Sequence, residues 1–162
     1  MRRFTTASLA LTLAATGALA GAAAVVAQDG SDLKIGLVTD VGTIDDRNFN
    51  QYSWEGAVAG AEAVGAAEPD YAISQTSADI APNIQAFVDQ EYDIIVTVGF
   101  AAGTDTIAAA KAAPDIKFVG VDQAPCITPE GDPDASFACE GDPAELLPNL
   151  QGLNWREQQP GY

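Results

Sequence analysis

The 162-residue sequence contains no histidine, only two cysteines, and 7 basic residues against 23 acidic ones. Histidine is the commonest general base and a common metal ligand, so its absence removes the usual means of acid–base and zinc chemistry. P-loop, GxGxxG and Ser-His-Asp arrangements are also absent. The net charge of −16 repels nucleic acid and anionic lipid. We therefore expect a protein that is not an enzyme, has no cofactor and binds no nucleic acid.

Residues 1–27 have the three-part layout of a secretory signal peptide. Two arginines are followed by an Ala-rich apolar run, and Val25-Val26-Ala27 offers a cleavage site. The alternative, an uncleaved membrane anchor, is disfavoured because the run is rich in Ala and Gly rather than Leu and Ile. Cleavage would leave 5 basic and 23 acidic residues, a net charge of −18. No cysteine lies near the site, so we expect a secreted or periplasmic protein without a lipid anchor.

The two cysteines, Cys126 and Cys139, form an even pair in a chain that is predicted to be exported. Such a pair is typical of a disulfide. The bond would close a turn-rich, acidic loop and stabilise it by roughly 3 kcal/mol. A metal or redox role is less favoured because there is no CxxC motif and no histidine partner.

Short apolar runs alternate with amphipathic segments along the rest of the chain. This alternation predicts an α/β fold, a parallel sheet with helices on both faces and right-handed crossovers. Strands are expected at 33–38, 71–74, 92–98, 116–121 and 150–155, and helices at 49–66, after Asp79, and from a cap at Thr104 or Asp105.

In such sheets ligands bind outside the carboxyl ends of the strands. The residues at those ends are Asp40, Gly99 with Phe100, and Asp122, and the loop 41–50 leaves on the same side. We therefore expect these polar and aromatic residues to converge on one edge.

The most informative stretch is 38–56, which carries the pattern D-x-G-x-x-x-D-x-x-F-N before a W-E-G segment. Its positions are Asp40, Gly42, Asp46, Phe49, Asn50 and Trp54-Glu55-Gly56. With this pattern the chain resembles the basic-membrane-protein family of ABC substrate-binding proteins, of the purine nucleoside receptor type. The resemblance continues at 94–100, 112–122 and 147–162.

The resemblance implies the N-terminal lobe of a two-lobed, type I periplasmic-binding fold that closes on a small solute. The implied function is solute binding for an ABC importer, with permease and ATPase subunits as partners and purine nucleosides or related solutes as ligands. The expected organisation is a signal peptide at 1–27, a lobe at 28–155 with an insertion at 123–149, and, at 156–162, the start of a crossover to a second lobe. The chain would then be truncated, and we expect a monomer.

The resemblance also assigns roles to residues. Asp40 and Asp122 match carboxylates at strand ends, Phe49 an aromatic that stacks on the base, and Asn50 a polar contact beside it. Gly99 and Phe100 match the exit of the third strand, where the backbone approaches the ligand.

Each of these residues also has a purely structural interpretation. Asp40 could cap the turn after its strand, Phe49 could be a core residue, and Asn50 could be a helix N-cap. Asp46 is favoured as a capping acid, and Trp54 as a core residue.

Two other functions remain open. A sugar- or autoinducer-binding protein would share the fold, which does not fix the ligand. The segment 40–46 (DVGTIDD) is also similar to the acidic signature of calcium-dependent nucleoside hydrolases. Those enzymes need several carboxylates around one Ca²⁺, and this sequence supplies no paired D-x-D.

Overall fold

A computed structural model of the protein describes residues 32–154. The predicted signal peptide (1–27) and the predicted crossover (156–162) lie outside the described residues. Between residues 32 and 154, no helix has the length and apolar character needed to cross a membrane.

Five parallel strands form one sheet in the order β2-β1-β3-β4-β5, with helices on both faces. The strands are β1 (Ile35–Val41), β2 (Asp70–Ser74), β3 (Ile94–Val98), β4 (Lys117–Val121) and β5 (Leu150–Leu153). The helices are α1 (Phe49–Val64), α2 (Ile80–Asp89), α3 (Gly103–Ala112) and the short α4 (Pro143–Leu146). The predicted fold class is thus confirmed.

The largest apolar cluster lies between the sheet and the helices α2 and α3. Alternate strand residues point to this face because the side-chain period of a strand is two. Gly36 lets Phe87 lie directly on β1, since a Cβ at Gly36 would come within 2.9 Å of the ring. The buried members are Val38, Ile80, Ile84, Phe87, Tyr92, Ile95, Ala102, Ala110 and Phe118.

The opposite face carries α1, which packs on β1 and β3. In the sequence, Trp54, Val58, Ala61 and Val64 recur at three- and four-residue steps, which predicts one apolar stripe on this helix. The prediction is only partly correct: Ala61 is buried, whereas Val64 is 52% exposed. Trp54 is half-buried and meets the ring of Tyr71 edge to face at 5.1 Å. One helix thus covers only part of a five-stranded face.

The start of α3 differs from the prediction of a cap at Thr104 or Asp105. A 3-10 turn at Phe100–Ala102 follows directly on β3, so α3 begins at Gly103 and its N-cap position is Ala102. Asp105 therefore lies in the first helical turn, where burial raises its pKa above the ordinary value.

The segment 123–149 is packed against the domain. Ile127 is fully buried with Ile107 and Leu147, and a disulfide joins Cys126 to Cys139. The amide of Asn149 donates to three carbonyls at the end of α3 and just beyond it, those of Ala110, Ala113 and Ile116. The segment therefore follows α3 from the end of β4 back to the start of β5.

The acidic surface has few compensating cations. Within residues 32–154 the structure contains one ion pair, Lys111 with Asp132 at 2.5 Å, and both side chains are well exposed. Screening by salt therefore weakens many repulsive interactions between carboxylates and few attractive interactions between opposite charges.

We predict that the melting temperature rises when NaCl is increased from about 0.05 M to about 0.5 M, which shortens the screening length from roughly 14 Å to roughly 4 Å. The expected rise is roughly 3–6 °C, corresponding to about 1 kcal/mol in a domain of this size. Calorimetry measures it. At about pH 4, where roughly half of the carboxylates are protonated, the rise should shrink. A melting temperature that falls with salt at pH 7 would contradict the prediction.

Candidate functional site

The candidate site lies where β1 and β3 run side by side. The chain leaves β1 toward α1 on one face and leaves β3 toward α3 on the other. A crevice therefore opens between the two connections, and in open parallel sheets ligands bind at such a switch point. We call the sheet edge formed by the carboxyl ends of the strands the carboxyl edge.

Asp40 and Gly99 meet in this crevice. A Cβ on Gly99 would lie 2.5 Å from Oδ2 of Asp40, so the carboxylate occupies the space that any larger residue would need. Gly99 also has a φ of +86°, in the region that favours glycine. The other oxygen of Asp40, Oδ1, accepts the N–H of Val41 at 2.7 Å. The Asp40 carboxylate is thus held across the ends of both strands.

Asn50 fixes the helix to the same point. It is 2% exposed, and its Oδ1 accepts the backbone N–H of Asp40 at 2.8 Å. The N-cap position of α1 is Asn48, so the interpretation of Asn50 as the N-cap is wrong. The structure gives Asn50 a positioning role, and a direct ligand contact stays a prediction.

Asp46 acts as the capping acid that the sequence favours. Its Oδ1 accepts the N–H groups of Asn48 at 2.8 Å and Gln51 at 3.1 Å. Desolvation raises its pKa, but these hydrogen bonds and others from Asn50 outweigh that effect, and the pKa lies below its ordinary value. The carboxylate already accepts backbone hydrogen bonds at the start of α1, so it is a poor candidate for a ligand contact.

Gln123 is a site residue that the sequence reasoning missed. It is buried, and its Nε2 donates to the carbonyl of Gly99 at 3.1 Å and to Oγ1 of Thr97 at 3.1 Å. A Cβ at Gly120 would lie 2.3 Å from Oε1 of Gln123, so the glycine makes room for the amide. Gln123 thus supports Gly99 from beneath, and its place directly after Asp122 is the only signal that could have found it.

The remaining predicted residues share the carboxyl edge with Asp40. Phe49 is 46% exposed at the start of α1, and Phe100 is 78% exposed directly after β3. Asp122 follows β4 with a φ of +58°, a conformation that aspartate tolerates better than most residues. The structure joins Asp40, Asn50 and Gly99 by direct contact, and it brings the other three to the same edge.

A groove of about 620 Å³ lies on the α1 face of the sheet. Its lining includes Val96, Val119 and Leu153 from the sheet and Phe49, Tyr52 and Ala57 from α1. Phe49 belongs to both places, and so do Val121 and Leu153 at the ends of β4 and β5. Because the groove is largely apolar and contains no carboxylate, it is a poor match for a solute with hydroxyl groups, and the carboxyl edge is the better site.

In the described part of the chain, no group of three or more acidic or cysteine side chains is arranged to hold a metal ion. Asp45 accepts a hydrogen bond from Thr43, and Asp46 is used at the start of α1. These contacts do not supply the several carboxylates that a calcium-dependent hydrolase needs.

Comparison with known proteins agrees with the motif. The model of the family described as "ABC transporter substrate-binding protein PnrA-like" matches residues 33–126, which include β1 to β4 and all the predicted site residues at the carboxyl edge. The chain belongs to this family of ABC transporter substrate-binding proteins. The predicted family is thus confirmed.

The individual proteins that this chain is similar to include nucleoside-binding and solute-binding proteins of ABC transporters and an antigen. The ABC transporter nucleoside-binding protein BmpA of Lactococcus lactis is 32% identical over 130 residues, 75% of this chain and 37% of that protein. A CD4+ T-cell-stimulating antigen of Listeria monocytogenes is 33% identical over 56% of this chain and 27% of its own length. A solute-binding protein of an ABC transporter system from Aeropyrum pernix matches with a TM-score of 0.58 and 25% identity, over 78% of this chain and 30% of its own. The chain thus spans about a third of the length of these relatives.

We predict that Gly99→Ala destabilises the domain by about 2–3 kcal/mol, because the new methyl group meets the Asp40 carboxylate at an unfavourable φ. Urea denaturation measures the change. Gly103→Ala is the matched control four residues later: it has helical backbone angles and no atom within 4 Å of the new Cβ. That control should be neutral or slightly stabilising. Equal effects of the two variants would refute the contact between Asp40 and Gly99.

Proposed function

We propose that the protein is the extracytoplasmic solute-binding component of an ABC importer and that its ligand is a purine nucleoside or a related small solute. The observation that carries the proposal is the position of Asp40 at the switch point, where its carboxylate lies against Gly99 and its backbone N–H donates to Asn50. The predicted export signal and the disulfide fit a protein that works outside the cytoplasm.

The chemistry of the edge suits a nucleoside. The exposed ring of Phe49 could stack on a base, a contact worth roughly 1–3 kcal/mol. The carboxylates of Asp40 and Asp122 would accept hydrogen bonds from ribose hydroxyls or from an exocyclic amine, and charged acceptors make the stronger bonds. A site of this kind disfavours analogues without those donors, because its carboxylates would be left unpaired.

The charge of the edge sets a second limit on the ligand. Asp40 and Asp122 lie at the carboxyl edge, the loop that follows β1 adds Asp45 and Asp46, and Arg47 is the only basic residue in that loop. A phosphate group there would be repelled by the carboxylates. The proposal therefore favours nucleosides over nucleotides.

A second lobe belongs to the proposal. In a two-lobed binding protein the ligand is enclosed between the lobes, so one lobe supplies only part of the contacts. We expect residues 28–162 alone to bind nucleosides weakly. Submicromolar affinity of this segment for inosine or guanosine, measured by calorimetry, would overturn the two-lobed account.

The runner-up is a sugar- or autoinducer-binding protein of the same fold. The carboxylates of the edge would serve sugar hydroxyls equally well, and the exposed ring of Phe49 could stack on a sugar ring. A nucleoside hydrolase is less favoured, and ribose release in the presence of added Ca²⁺ would be its signature.

A thermal-shift screen of nucleosides, nucleotides and sugars tests the proposal on the product of the gene's complete reading frame. A ligand that binds only the folded state raises the melting temperature. We expect a shift with inosine or guanosine and none with the corresponding monophosphates. Asp40→Asn should weaken nucleoside binding by roughly 10–100-fold, the loss of one hydrogen bond to a charged group.

Asp115→Asn is the matched control for Asp40→Asn. Asp115 is exposed between α3 and β4, at the opposite edge of the sheet, so its neutralisation changes the net charge equally without touching the crevice. The proposal fails if sugars alone shift the melting temperature, or if the two variants bind nucleoside with the same affinity.

A further inference from the structure

The segment that follows β4 begins beneath the carboxyl edge. Gln123 reaches back under the sheet end, where its Nε2 donates to the carbonyl of Gly99 and to Oγ1 of Thr97. These contacts are buried, since Gln123 is 4% exposed and Thr97 is fully covered. Gly99 also closes the end of the β3–β4 pair, because its N–H donates to the carbonyl of Val121 at 2.9 Å. The backbone of Gly99 therefore depends on where Gln123 is held.

Gln123 and the two residues after it lie directly on the end of β5. The N–H of Gln123 donates to the carbonyl of Leu153 at 3.2 Å. A Cβ on Gly152 would lie 2.5 Å from the carbonyl oxygen of Gln123 and 2.5 Å from Cδ of Pro125, so the glycine leaves room for this stretch. The backbone after β4 is thus held close against β5, and the next residue is the first cysteine.

The disulfide holds the far end of this stretch, because it closes the loop from Cys126 to Cys139. Within that loop the carbonyl of Cys126 accepts the N–H of Asp134 at 3.0 Å, and Oδ2 of Asp134 accepts the N–H of Cys139 at 2.9 Å. Cys139 has a φ of +52°, a conformation that is strained in a residue other than glycine. The crosslink and Asp134 together keep both cysteines in one compact unit.

The same loop covers Ile127, the buried anchor of the segment. Ile127 is fully buried against Ile107 and Leu147. Its carbonyl accepts the N–H of Gly141 at 2.9 Å, and a Cβ on Gly141 would lie 2.8 Å from Cγ1 of Ile127. Gly141 follows Cys139 by two residues, so the disulfide keeps this cover in place. Without the crosslink the cover and the stretch before it gain freedom, because an open loop keeps the chain entropy that a closed one loses.

We propose that the disulfide is a positioning element of the solute site and that it acts through Gln123 on the backbone of Gly99. The identity of the solute rests on the proposed function, whereas the link between the disulfide and Gly99 rests on the contacts above. The link is short, since Gln123 lies three residues before Cys126 and its amide is one hydrogen bond from Gly99. It reaches the acid of the site, because Gly99 lies against the carboxylate of Asp40.

Amide hydrogen exchange in the whole 162-residue chain tests this link without any ligand. The readout is the exchange rate of the Gly99 N–H divided by that of the Lys117 N–H. Both amides are hydrogen-bonded across β3 and β4, and that of Lys117 donates to Asp93 at 2.9 Å, at the other end of the two strands. A loss of global stability accelerates both amides, so a change in the ratio reports local opening at the carboxyl edge.

Removal of the disulfide by Cys126→Ala with Cys139→Ala should raise this ratio by about 10-fold or more, because the end of β3 opens locally. Gln123→Met keeps the volume but loses the donor, and it should raise the ratio comparably. The three substitutions together should exceed Gln123→Met alone by less than about 3-fold, since all of them act on one contact. Gln85→Met, at an exposed glutamine on α2, is the matched control and should leave the ratio unchanged.

Equal acceleration of both amides on removal of the disulfide would overturn the proposal, because the crosslink would then stabilise only the domain as a whole. Effects of the cysteine pair and of Gln123 that multiply would also overturn it. Should Gln123→Met not fold, Gln123→Glu replaces it: a protonated carboxyl donates to Gly99 and a carboxylate does not. The ratio in that variant should fall toward the wild-type value as the pH is lowered, and a ratio that is independent of pH would contradict the role of the amide.

Inosine in the millimolar range, followed by amide chemical shifts, tests the consequence for the solute. The variant without the disulfide should bind inosine about 10-fold more weakly than the wild type, because its site is less preorganised, and Gln85→Met should bind it equally well. An affinity that does not change on loss of the disulfide would overturn the positioning role. If inosine shifts no amide of the wild type, the proposed ligand is wrong, while the exchange ratios still decide whether the disulfide acts on Gly99.

Discussion

The close contact between the Asp40 carboxylate and Gly99 is the constraint on which the carboxyl edge depends. Only a glycine leaves room for this carboxylate at the end of β3, and only a residue tolerant of φ near +86° fits there. Asn50 holds the backbone of Asp40 from the side of α1, and Gln123 holds the carbonyl of Gly99 from beneath. The position of the acid is therefore fixed by three separate elements. A carboxylate prepared in this way loses little freedom when it accepts hydrogen bonds from a solute, which is how preorganisation improves affinity.

Much of this arrangement could be predicted from the sequence, because it follows from local patterns. β-branched runs bounded by turns gave the strands, and their alternation with helices gave the parallel sheet and its binding edge. The motif from Asp40 to Asn50 gave the family. Strand and helix ends were less accurate: β1 continues to Val41 because that residue still pairs with Ser74 of β2. Such pairings join distant parts of the chain and leave no local trace.

The features that the sequence did not reveal are all tertiary. Gln123 reads as an ordinary polar loop residue until the fold brings it beneath Gly99. Val64 fits the apolar stripe of α1, yet it is exposed, because α1 covers only part of the sheet face on which it packs. The groove beside α1 is likewise visible only when the sheet order and the side of each crossover are known. Hydrophobic periodicity reports which side chains favour burial, but the number of helices on a face depends on the whole topology.

The central claim is that the carboxyl edge, rather than the apolar groove beside α1, is where the solute binds. Two-dimensional ¹H–¹⁵N NMR of residues 28–162 with inosine in the millimolar range tests it directly, because shift changes locate even a weak site. The account predicts that the largest changes fall on the backbone amides of Asp40, Asn50, Gly99, Phe100 and Asp122. Changes confined to the amides of Val96, Val119 and Ala57 in the groove, or no changes at all at the edge, would contradict it.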